Sequence, residues 1–341
     1  MRLQMRRHLL FGFVFLVVVM LVLPTVMGRL SAQPVTHPVA VEGADSLPIK
    51  VYFPATQTVE SLPLGEYLKG VVAAEMPSSF ATEALKAQFI VARTYAVHRM
   101  RRFAGSMKGG CPDNLEADIC ADPKTGQAYI SEEEAVDKWG FFAASSLWHR
   151  LDEVQAATEG LVLRYGGELI DPLYHSVSGT TTEAAEDYFA HALPYLKPAD
   201  DHWGANAPGL KQTVQFTPEQ LAARLNGISN TVAVAAVAGA VQAGRAPVEV
   251  TSRTASDRAK TVKVAGITLS GREFREKLGL RSTAFTVKVE QGKVVITTTG
   301  YGHGVGMSQY GADGMARAGK SYKEILTHYY QGITIEPLFT E

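Results

Sequence analysis

Glu75 has the local setting of a carboxyl group that could do acid–base chemistry. It follows a short apolar run and precedes Met76 and Pro77, and a proline pushes the residue before it out of the helical conformation. Glu75 therefore ends a predicted helix, where the partial negative charge of the last carbonyl groups disfavours a carboxylate. Apolar neighbours disfavour it too, so the sequence predicts a raised pKa, as a proton donor at neutral pH requires.

Two cations, Lys86 and Arg93, follow on the next predicted helix. Their spacing of seven residues places them on one helix face. Either cation would lower the pKa of Glu75 if it came close. Arginine also offers a planar fork of donors that can orient a carboxylate or hold an anionic substrate group. The pattern alone leaves open whether the two residues belong to a site or to the solvated surface.

The stretch from Tyr174 to Phe189 combines hydroxyl groups, a histidine and three acids after a predicted strand. Hydroxyl-rich loops suit carbohydrate recognition, although many loops have this composition. The candidates for substrate contact are His175, Ser176, Ser178 and Tyr188, with Glu183 and Asp187 behind them. A Ser–His esterase would place its serine in a G-x-S-x-G elbow, and the chain has no such motif.

Four glycines alternate with other residues between positions 300 and 306. This pattern predicts a strand with one face free of side chains, which another backbone or a ligand can approach closely. The spacing is not G-x-G-x-x-G and no Walker lysine follows, which argues against a nucleotide-binding loop. His303 and Gln309 are the candidate sugar-binding groups here. Tyr301 and Tyr310 could either stack on sugar rings or fill the core.

Predicted helices and strands position these motifs. Alternation predicts a strand at Ile49–Phe53. A helix is predicted at Pro63–Glu75, with the proline in its first turn, and a second helix at Thr82–Arg102. Apolar alternation between Leu161 and Tyr174 predicts strands that turn at Gly166-Gly167.

The residue pattern changes at 213–298. This change predicts a smaller α+β subdomain, inserted between the two halves of the site. Strand-like runs there flank a helix that Gly279 closes. Segment Ser308–Tyr330 is predicted to be helical. The predicted fold class is therefore α+β, a helix-rich core with antiparallel strands and an inserted subdomain, and not a doubly wound sheet.

The first 48 residues predict a membrane anchor and a linker. Arg2, Arg6 and Arg7 precede an apolar run at 9–27, which as a helix would reach roughly 28 Å, about one hydrocarbon core. This charge bias predicts a cytoplasmic N-terminus. No clean A-x-A site follows, which favours an uncleaved single-pass anchor over a signal peptide. The predicted parts are a cytoplasmic tail at 1–8, the anchor at 9–28, the linker at 29–48 and an extracytoplasmic domain at 49–341.

The overall charge of the chain argues against nucleic acid as a partner. The formal net charge is −1, and the basic residues are scattered instead of clustered on one stretch. Both cysteines follow the predicted anchor, in the part of the chain where an oxidising environment permits a disulfide.

Three motifs together resemble the stage II sporulation protein D family. They are VVAAEMPSSFATEALKAQFIVARTYAVHR from Val71, YHSVSGTTTEAAEDYF from Tyr174 and GYGHGVGMSQYGA from Gly300, spread over more than two hundred residues in the family's order. The resemblance implies a lytic transglycosylase anchored in the cell membrane, with its catalytic domain outside the cytoplasm. Such an enzyme would cleave peptidoglycan glycan strands during engulfment in a spore-forming bacterium.

The implied reaction needs only one carboxyl group, whereas hydrolysis of a glycosidic bond ordinarily takes two. The acid protonates the leaving oxygen and then, as a base, takes the proton from the sugar's own C6 hydroxyl, which closes a 1,6-anhydro ring. The resemblance gives this role to Glu75 and places Lys86 and Arg93 in the site. It supports substrate-binding roles for the polar candidates His175, Ser176, Ser178, Tyr188, His303 and Gln309.

The resemblance also implies a substrate and partners. The preferred substrate would be strands stripped of stem peptides, and the partners a cell-wall amidase and a membrane scaffold protein; no cofactor is implied. The alternative is a non-catalytic peptidoglycan-binding protein that activates an amidase, as the related amidase-enhancer proteins are described. A pure binder would tolerate Glu75→Gln, and a catalyst would not. A metal-dependent hydrolase is disfavoured because the chain has no H-E-x-x-H motif.

The chain departs from the family pattern at two places. Thr180 replaces a glycine of the second motif. Several relatives carry C-x-x-x-x-H-C-Q-A-Y where this chain has Thr125 and Gly126 in place of the histidine and the second cysteine. One cysteine without an adjacent histidine cannot complete a tetrahedral structural site, so no metal is predicted. Cys111 and Cys120 could instead close a short disulfide loop.

Overall fold

Ten α-helices and fourteen short strands are present in the part of the chain that this computed structural model describes, residues 43–100, 103, 110–189, 191–225 and 233–339. The helices are α1 (Leu64–Glu75), α2 (Thr82–Arg99), α3 (Glu132–Trp139), α4 (Phe141–Ala156), α5 (Ala185–Phe189), α6 (Pro218–Leu225), α7 (Val234–Gln242), α8 (Gly271–Leu278), α9 (Gln309–Arg317) and α10 (Tyr322–Tyr329). The strands are β1 (Pro48–Phe53), β2 (Thr58–Pro63), β3 (Ile119–Cys120), β4 (Leu161–Tyr165), β5 (Glu168–Leu169), β6 (Tyr174–His175), β7 (Lys211–Phe216), β8 (Val248–Arg253), β9 (Ala259–Val264), β10 (Ile267–Ser270), β11 (Phe285–Glu290), β12 (Lys293–Thr299), β13 (Met307–Ser308) and β14 (Thr334–Pro337). This is the mixed helix-and-strand architecture expected of an α+β protein.

The predicted anchor at 9–28 and the tail at 1–8 lie outside the described residues, as does the linker up to residue 42. Among the helices that are described, none has both the length and the apolar character needed to cross a membrane. A 3₁₀ turn at Ala44–Ser46 leads into β1, which begins one residue before the predicted strand.

The strands form several small sheets instead of one continuous sheet. β1 lies between β2 and β3, β9 between β8 and β10, β12 between β7 and β11, and β4 between β5 and β14, while β6 pairs with β13. Most pairs are antiparallel, as predicted, but β3 is parallel to β1 and β13 to β6. The predicted turn at Gly166-Gly167 is confirmed, because Tyr165 and Glu168 face each other across it.

Helices α1 and α2 carry the first motif and pack against each other. α1 follows Pro63 and ends at Glu75, as predicted, because Met76 before Pro77 adopts an extended conformation. α2 begins at Thr82, as predicted, but ends at Arg99, three residues before the predicted end. Most of α2 is buried, since α1, α4, α9, α10 and β4 surround it.

A buried ion pair between Arg93 and Asp45 ties α2 to the 3₁₀ turn that precedes β1. Arg93 donates from Nε and Nη2 to the two carboxylate oxygens of Asp45, at 2.6 and 2.7 Å. Its Nη1 donates to the carbonyl of Leu161 in β4 at 3.2 Å, and Gln155 of α4 donates to Asp45 at 3.2 Å. Because the guanidinium is fully buried, four segments of the chain meet at one charge pair.

A second hydrophobic core lies within residues 216–296. Phe274 of α8 stacks there on Phe285 of β11, with ring centroids 5.2 Å apart. α8 ends at Gly279 in a left-handed conformation, which confirms the predicted helix closure. β7 pairs with β12, so the ends of the region predicted at 213–298 run side by side. The division into core and inserted subdomain stays a prediction.

The segment 300–306 is not the regular strand that its glycine alternation predicts. All four glycines have positive φ, a conformation that strains residues with a side chain. The predicted close approach does occur: a Cβ at Gly306 would lie 1.9 Å from the carbonyl oxygen of Leu173, and one at Gly304 would lie 2.6 Å from the guanidinium of Arg258. The glycines therefore make room for other segments of the same chain.

The C-terminal segment Ser308–Tyr330, predicted to be helical, contains the two helices α9 and α10. Ser308 caps α9 by accepting from a backbone N–H at 3.1 Å, and Ser321 caps α10. Between them Gly319 has a φ of +87°, which ends the first helix. The helical prediction is confirmed apart from this break.

Replacing Arg93 by methionine is expected to lower the free energy of unfolding by about 3–5 kcal/mol, because the buried Asp45 carboxylate loses its charged partner. Lys86→Met is the control: Lys86 pairs with Glu83 on a partly exposed helix surface, where such pairs contribute about 0–1 kcal/mol. Denaturant unfolding measures both variants. Equal losses of stability would contradict the structural role of Arg93.

Candidate active site

Glu75 faces a depression of about 300 Å³ near the end of α1 and the start of α9. The side chain is half-buried. Most of the lining is apolar, and the residues that form it are Ala73, Ala74, Glu75, Met76, Pro77, Phe80, Trp139, Ser176, Gln309 and Tyr310. Glu75 is the one acid among these described lining residues, so it is the group there that can donate a proton from a carboxyl oxygen.

Three neutral donors hold the carboxyl group of Glu75. Oε1 accepts from the backbone N–H of Ala128 at 3.1 Å and from the hydroxyl of Tyr174 at 3.3 Å. Oε2 accepts from the side-chain amide of Gln309 at 3.3 Å. Because Oε1 has two donors and Oε2 has one, Oε2 is the oxygen better placed to carry a proton.

Burial raises the pKa of Glu75 above its ordinary value. The hydrogen bonds from Ala128, Gln309 and Tyr174 favour the ionised carboxylate and oppose this shift without cancelling it. The raised pKa predicted from the sequence is therefore confirmed in direction, and loss of water around the carboxyl group is its main cause.

A chain of hydrogen bonds runs from Glu75 into the core. The hydroxyl of Tyr67 donates to Oε1 of Gln127 at 3.2 Å, and Nε2 of Gln127 donates to the hydroxyl oxygen of Tyr174 at 3.1 Å. Since that oxygen accepts from Gln127, the proton of Tyr174 points at Glu75. Tyr67 and Gln127 are buried, so the core fixes the direction of this donor.

Two arginines from different helices hold the loop 77–81 that follows Glu75. Arg150 of α4 donates to two carbonyl groups of this loop, at 2.5 and 2.6 Å. Arg317 of α9 donates to the carbonyl of Ser79 at 2.7 Å. The rim of the depression is therefore fastened to both α4 and α9.

Of the predicted substrate-binding residues, Ser176 and Gln309 lie at the same depression as Glu75. The backbone N–H of Tyr310 donates to the carbonyl of Ser176 at 3.0 Å, so the second and third motifs meet here. Tyr310 lines the depression and also packs edge-on against Phe80, with centroids 4.9 Å apart. The substrate contacts of Ser176 and Gln309 stay predictions.

His175 and Ser178 contact each other in the interior. Nδ1 of His175 donates to the carbonyl of Val305 at 3.1 Å, and Nε2 accepts from the Ser178 hydroxyl at 2.5 Å. Burial holds the pKa of His175 well below its ordinary value, so the ring is neutral. The two residues are only 4% and 3% exposed. The polar atoms of His175 and Ser178 are therefore used within the protein, and the sugar contact of these two residues stays a prediction.

Tyr188 and His303 belong to an aromatic cluster that joins α5 to α8. Their ring centroids are 5.8 Å apart, and the Tyr188 hydroxyl accepts from Arg275 at 2.5 Å. Burial, followed by the positive charges of Arg275 and Arg258, lowers the pKa of His303 to about 3, so this imidazole is neutral. Neither side chain is among the described lining residues at Glu75, and their substrate roles stay predictions.

The structure separates the two predicted cations from Glu75. Arg93 is fully buried and its guanidinium is paired with Asp45, and its substrate-binding role stays a prediction. Lys86 pairs with Glu83 of its own helix at 2.7 Å and lies 5.9 Å from the ring centroid of Tyr322. Neither cation is among the described lining residues of the depression. Helical spacing predicted their shared face correctly, but it does not say which elements pack on that face.

Sequence reasoning missed three residues of this site. Ala128 contributes a backbone N–H, which no residue-type pattern reveals. Tyr174 could have been found, because it carries a hydroxyl group and directly precedes the candidate His175 at a predicted strand. Trp139 also carried a signal, since the run Trp-Gly-Phe-Phe begins there in a polar region.

A disulfide joins Cys111 to Cys120. Their sulfur atoms and the carboxylate of Asp113 lie within 4.8 Å of one another, close enough for three ligands of one metal ion. A structural zinc site requires thiolates, however, and the disulfide leaves none. A Cβ at Gly126, the position of the second cysteine in the pattern that the sequence resembles, would lie 2.0 Å from the carbonyl oxygen of Cys120. These residues therefore do not fit a structural zinc site.

Fold and site together define a mixed α/β protein with one half-buried acid in an apolar depression. The model of the stage II sporulation protein family matches residues 52–165. Over 309 residues the chain is 36% identical to stage II sporulation protein D of Bacillus subtilis (strain 168), covering 89% of this chain and 83% of that protein. Over 302 residues it is 38% identical to stage II sporulation protein D of Bacillus amyloliquefaciens, covering 88% and 81%.

The amidase enhancer of Bacillus subtilis (strain 168) is also similar, with 30% identity over 313 residues, 79% of this chain and 40% of that protein. Identity above one third with two proteins, each covered over more than four fifths of its length, shows the family. The chain belongs to the stage II sporulation protein D family, and the protein is thus a member of a sporulation family.

Replacing Tyr174 by phenylalanine is expected to raise the pKa of Glu75 further, because it removes a donor that stabilises the ionised carboxylate. The carboxyl carbon of Glu75, observed by NMR in protein with ¹³C-labelled glutamate, reports this titration directly, and Glu75→Gln identifies its signal. Tyr165→Phe, on β4, is the control and should leave the titration unchanged. An unchanged or lower pKa in the Tyr174 variant would contradict this hydrogen-bond arrangement.

Proposed function

We propose that this protein is a lytic transglycosylase that cleaves the glycan strands of peptidoglycan and leaves 1,6-anhydro-N-acetylmuramic acid ends. The observation that supports it most is Glu75, an acid with a raised pKa in a depression whose other described lining residues have no carboxyl group. Glycosidases that use water ordinarily need two carboxyl groups. A single acid suits a reaction in which the substrate supplies its own nucleophile.

In the first step Glu75 acts as a general acid. Its Oε2 gives a proton to the oxygen that links N-acetylmuramic acid to the next sugar, and the bond from that oxygen to C1 breaks. The leaving sugar departs with a hydroxyl group. Oε1 keeps its bonds to Ala128 and Tyr174, which stabilise the carboxylate that forms.

In the second step the same carboxylate acts as a base. It removes the proton from the C6 hydroxyl of N-acetylmuramic acid, and O6 forms a bond to C1, which closes the 1,6-anhydro ring. Glu75 is protonated again, so the cycle needs no water and no second acid. Gln309 suits both states, because its amide can donate to the carboxylate or, after rotation, accept from the protonated acid.

The cellular part of the proposal is that the enzyme acts during engulfment in sporulation, on strands already stripped of stem peptides. The apolar run at 9–28 would anchor it in the cell membrane, with a cytoplasmic N-terminus and the catalytic domain outside. A cell-wall amidase would produce the stripped strands, and a membrane scaffold protein would hold the two enzymes together. The sporulation family and the sequence of the run support this setting.

A second candidate function is non-catalytic binding of peptidoglycan that activates an amidase. The similarity to the amidase enhancer of Bacillus subtilis favours it. In that case the raised pKa of Glu75 would have no chemical use, and replacement of this acid would leave the function intact.

Glu75→Gln is expected to lower kcat on denuded glycan strands about 100- to 10,000-fold, the usual contribution of a general acid. Mass spectrometry of the products, with the full-length protein in detergent, measures this loss and identifies the new ends. Glu66→Gln is the matched control, since Glu66 lies on the same helix with a mostly exposed side chain paired to Lys69. A chelator should leave the cleavage activity of the unaltered protein and of the Glu66→Gln variant unchanged.

Three other outcomes would count against the proposal. Products with reducing ends would mean a hydrolase that uses a second carboxyl group. Loss of activity with the chelator would mean a metal-dependent enzyme. Absence of cleavage with intact strand binding would favour the amidase-activating function.

Glu75→Gln is also expected to raise the melting temperature at about pH 8 and to leave it nearly unchanged at about pH 4. Because the pKa of Glu75 is raised on folding, the stability linked to its proton is present at low pH and is lost as the pH rises through the folded pKa. Above it the folded protein holds a desolvated carboxylate, which glutamine removes. Calorimetry at the two pH values, with Glu66→Gln as control, tests this. A less stable variant at the higher pH would contradict it.

A further inference from the structure

Three aromatic residues form an exposed corner beside the depression of Glu75. Trp139 ends α3, and Phe141 and Phe142 begin α4 on the other side of one glycine. The three residues are 39%, 64% and 88% exposed. Large apolar side chains that stand together in water indicate a contact surface, whereas single ones are ordinary.

This aromatic corner is continuous with the candidate active site. Trp139 belongs to the lining of the depression that holds Glu75. The rings of Phe141 and Phe142 lie edge to face, with centroids 5.7 Å apart, and one glycine separates them from Trp139 in the chain. A linear ligand that lies in the depression and extends past Trp139 would reach them next.

The corner is also held in place by the elements that hold the site. Gly140 forms the turn between α3 and α4 with a φ of +82°, which favours glycine over residues with a side chain. α4 packs on α1 and α2, and its Arg150 holds the loop 77–81 after Glu75. One helix therefore fixes both the aromatic corner and the rim of the site.

We propose that the aromatic corner, Trp139 with Phe141 and Phe142, is a binding subsite for sugar units of the glycan strand beyond the unit at Glu75. An aromatic face packs against the C–H groups of a pyranose ring and leaves the sugar hydroxyls in water. Nζ of Lys138 lies 5.2 Å from the ring centroid of Trp139 and suits the lactyl carboxylate of N-acetylmuramic acid. The identity of the ligand rests on the proposed function.

A lipid bilayer is the other partner that exposed aromatic residues suit. The position of Trp139 favours the glycan strand, because this ring is part of the wall of the depression that holds the acid. Membrane contact would require no such wall. The subsite also accounts for the position of the aromatic residues at a turn between two helices, since a sugar ring has to lie parallel to the aromatic face on which it packs.

The test measures binding apart from cleavage. Full-length protein in detergent carries Glu75→Gln throughout, and its affinity for denuded, fluorescently labelled strands is measured by polarisation. Adding Trp139→Ala or Phe142→Ala is expected to raise the Kd about ten-fold, because each variant loses one aromatic contact with the strand. Trp139→Phe, which keeps an aromatic face, should bind nearly as well as its parent. Leu115→Ala is the control, since Leu115 is 77% exposed and is absent from the described lining.

Unchanged affinity in both alanine variants would overturn the subsite, whether or not the protein cleaves strands. Loss of affinity in these variants, combined with no anhydro products from the protein that retains Glu75, would instead contradict the proposed catalysis and leave the subsite standing. A second measurement uses nanodiscs with brominated lipids. Quenching of tryptophan fluorescence that disappears in Trp139→Phe would show that the aromatic corner meets the bilayer, and it would also overturn the proposal.

Discussion

The buried ion pair of Arg93 and Asp45 is the interaction on which the arrangement of the larger core depends. Removing two charges from water is costly, so such a pair is stable only when each charge has its partner and the remaining polar atoms have theirs. Here the 3₁₀ turn, α2, β4 and α4 supply those groups together. α2 is thereby fixed against its neighbours, and α1, which packs on it, ends with Glu75 at the depression.

Asp45 and Glu75 differ in the kind of donor that meets their carboxyl groups. Asp45 receives the charged guanidinium of Arg93, whereas Glu75 receives a backbone N–H, a phenol and an amide. Neutral donors stabilise a carboxylate less than a full positive charge does. Burial therefore prevails at Glu75 and raises its pKa. The fold therefore pairs Asp45 with a buried positive charge and surrounds Glu75 with neutral donors, which leaves Glu75 an acid with a raised pKa.

Local effects are what the sequence predicts well in this chain. Pro77 ends α1 at Glu75 and Gly279 ends α8, because both act on the residues next to them. The partner of Arg93 could not be found from sequence, because helical spacing gives the face of a helix but not the element that packs on it, and Asp45 is 48 residues away. The N–H of Ala128 is beyond any such pattern, since nearly every residue has one. The helix ends were therefore predictable from the sequence, and the hydrogen-bond donors that influence the pKa of Glu75 were not.

The glycine segment 300–306 lies between elements of both hydrophobic cores. At Gly304 the backbone meets Arg258, which precedes β9, and at Gly306 it meets Leu173, which packs on the larger core. At Gly304 the contact is with the long side chain of Arg258, which can change rotamer, whereas at Gly306 main chain meets main chain. A displacement at Leu173 is therefore passed to the glycine segment as movement of the main chain itself, with no side chain at the point of contact to absorb it.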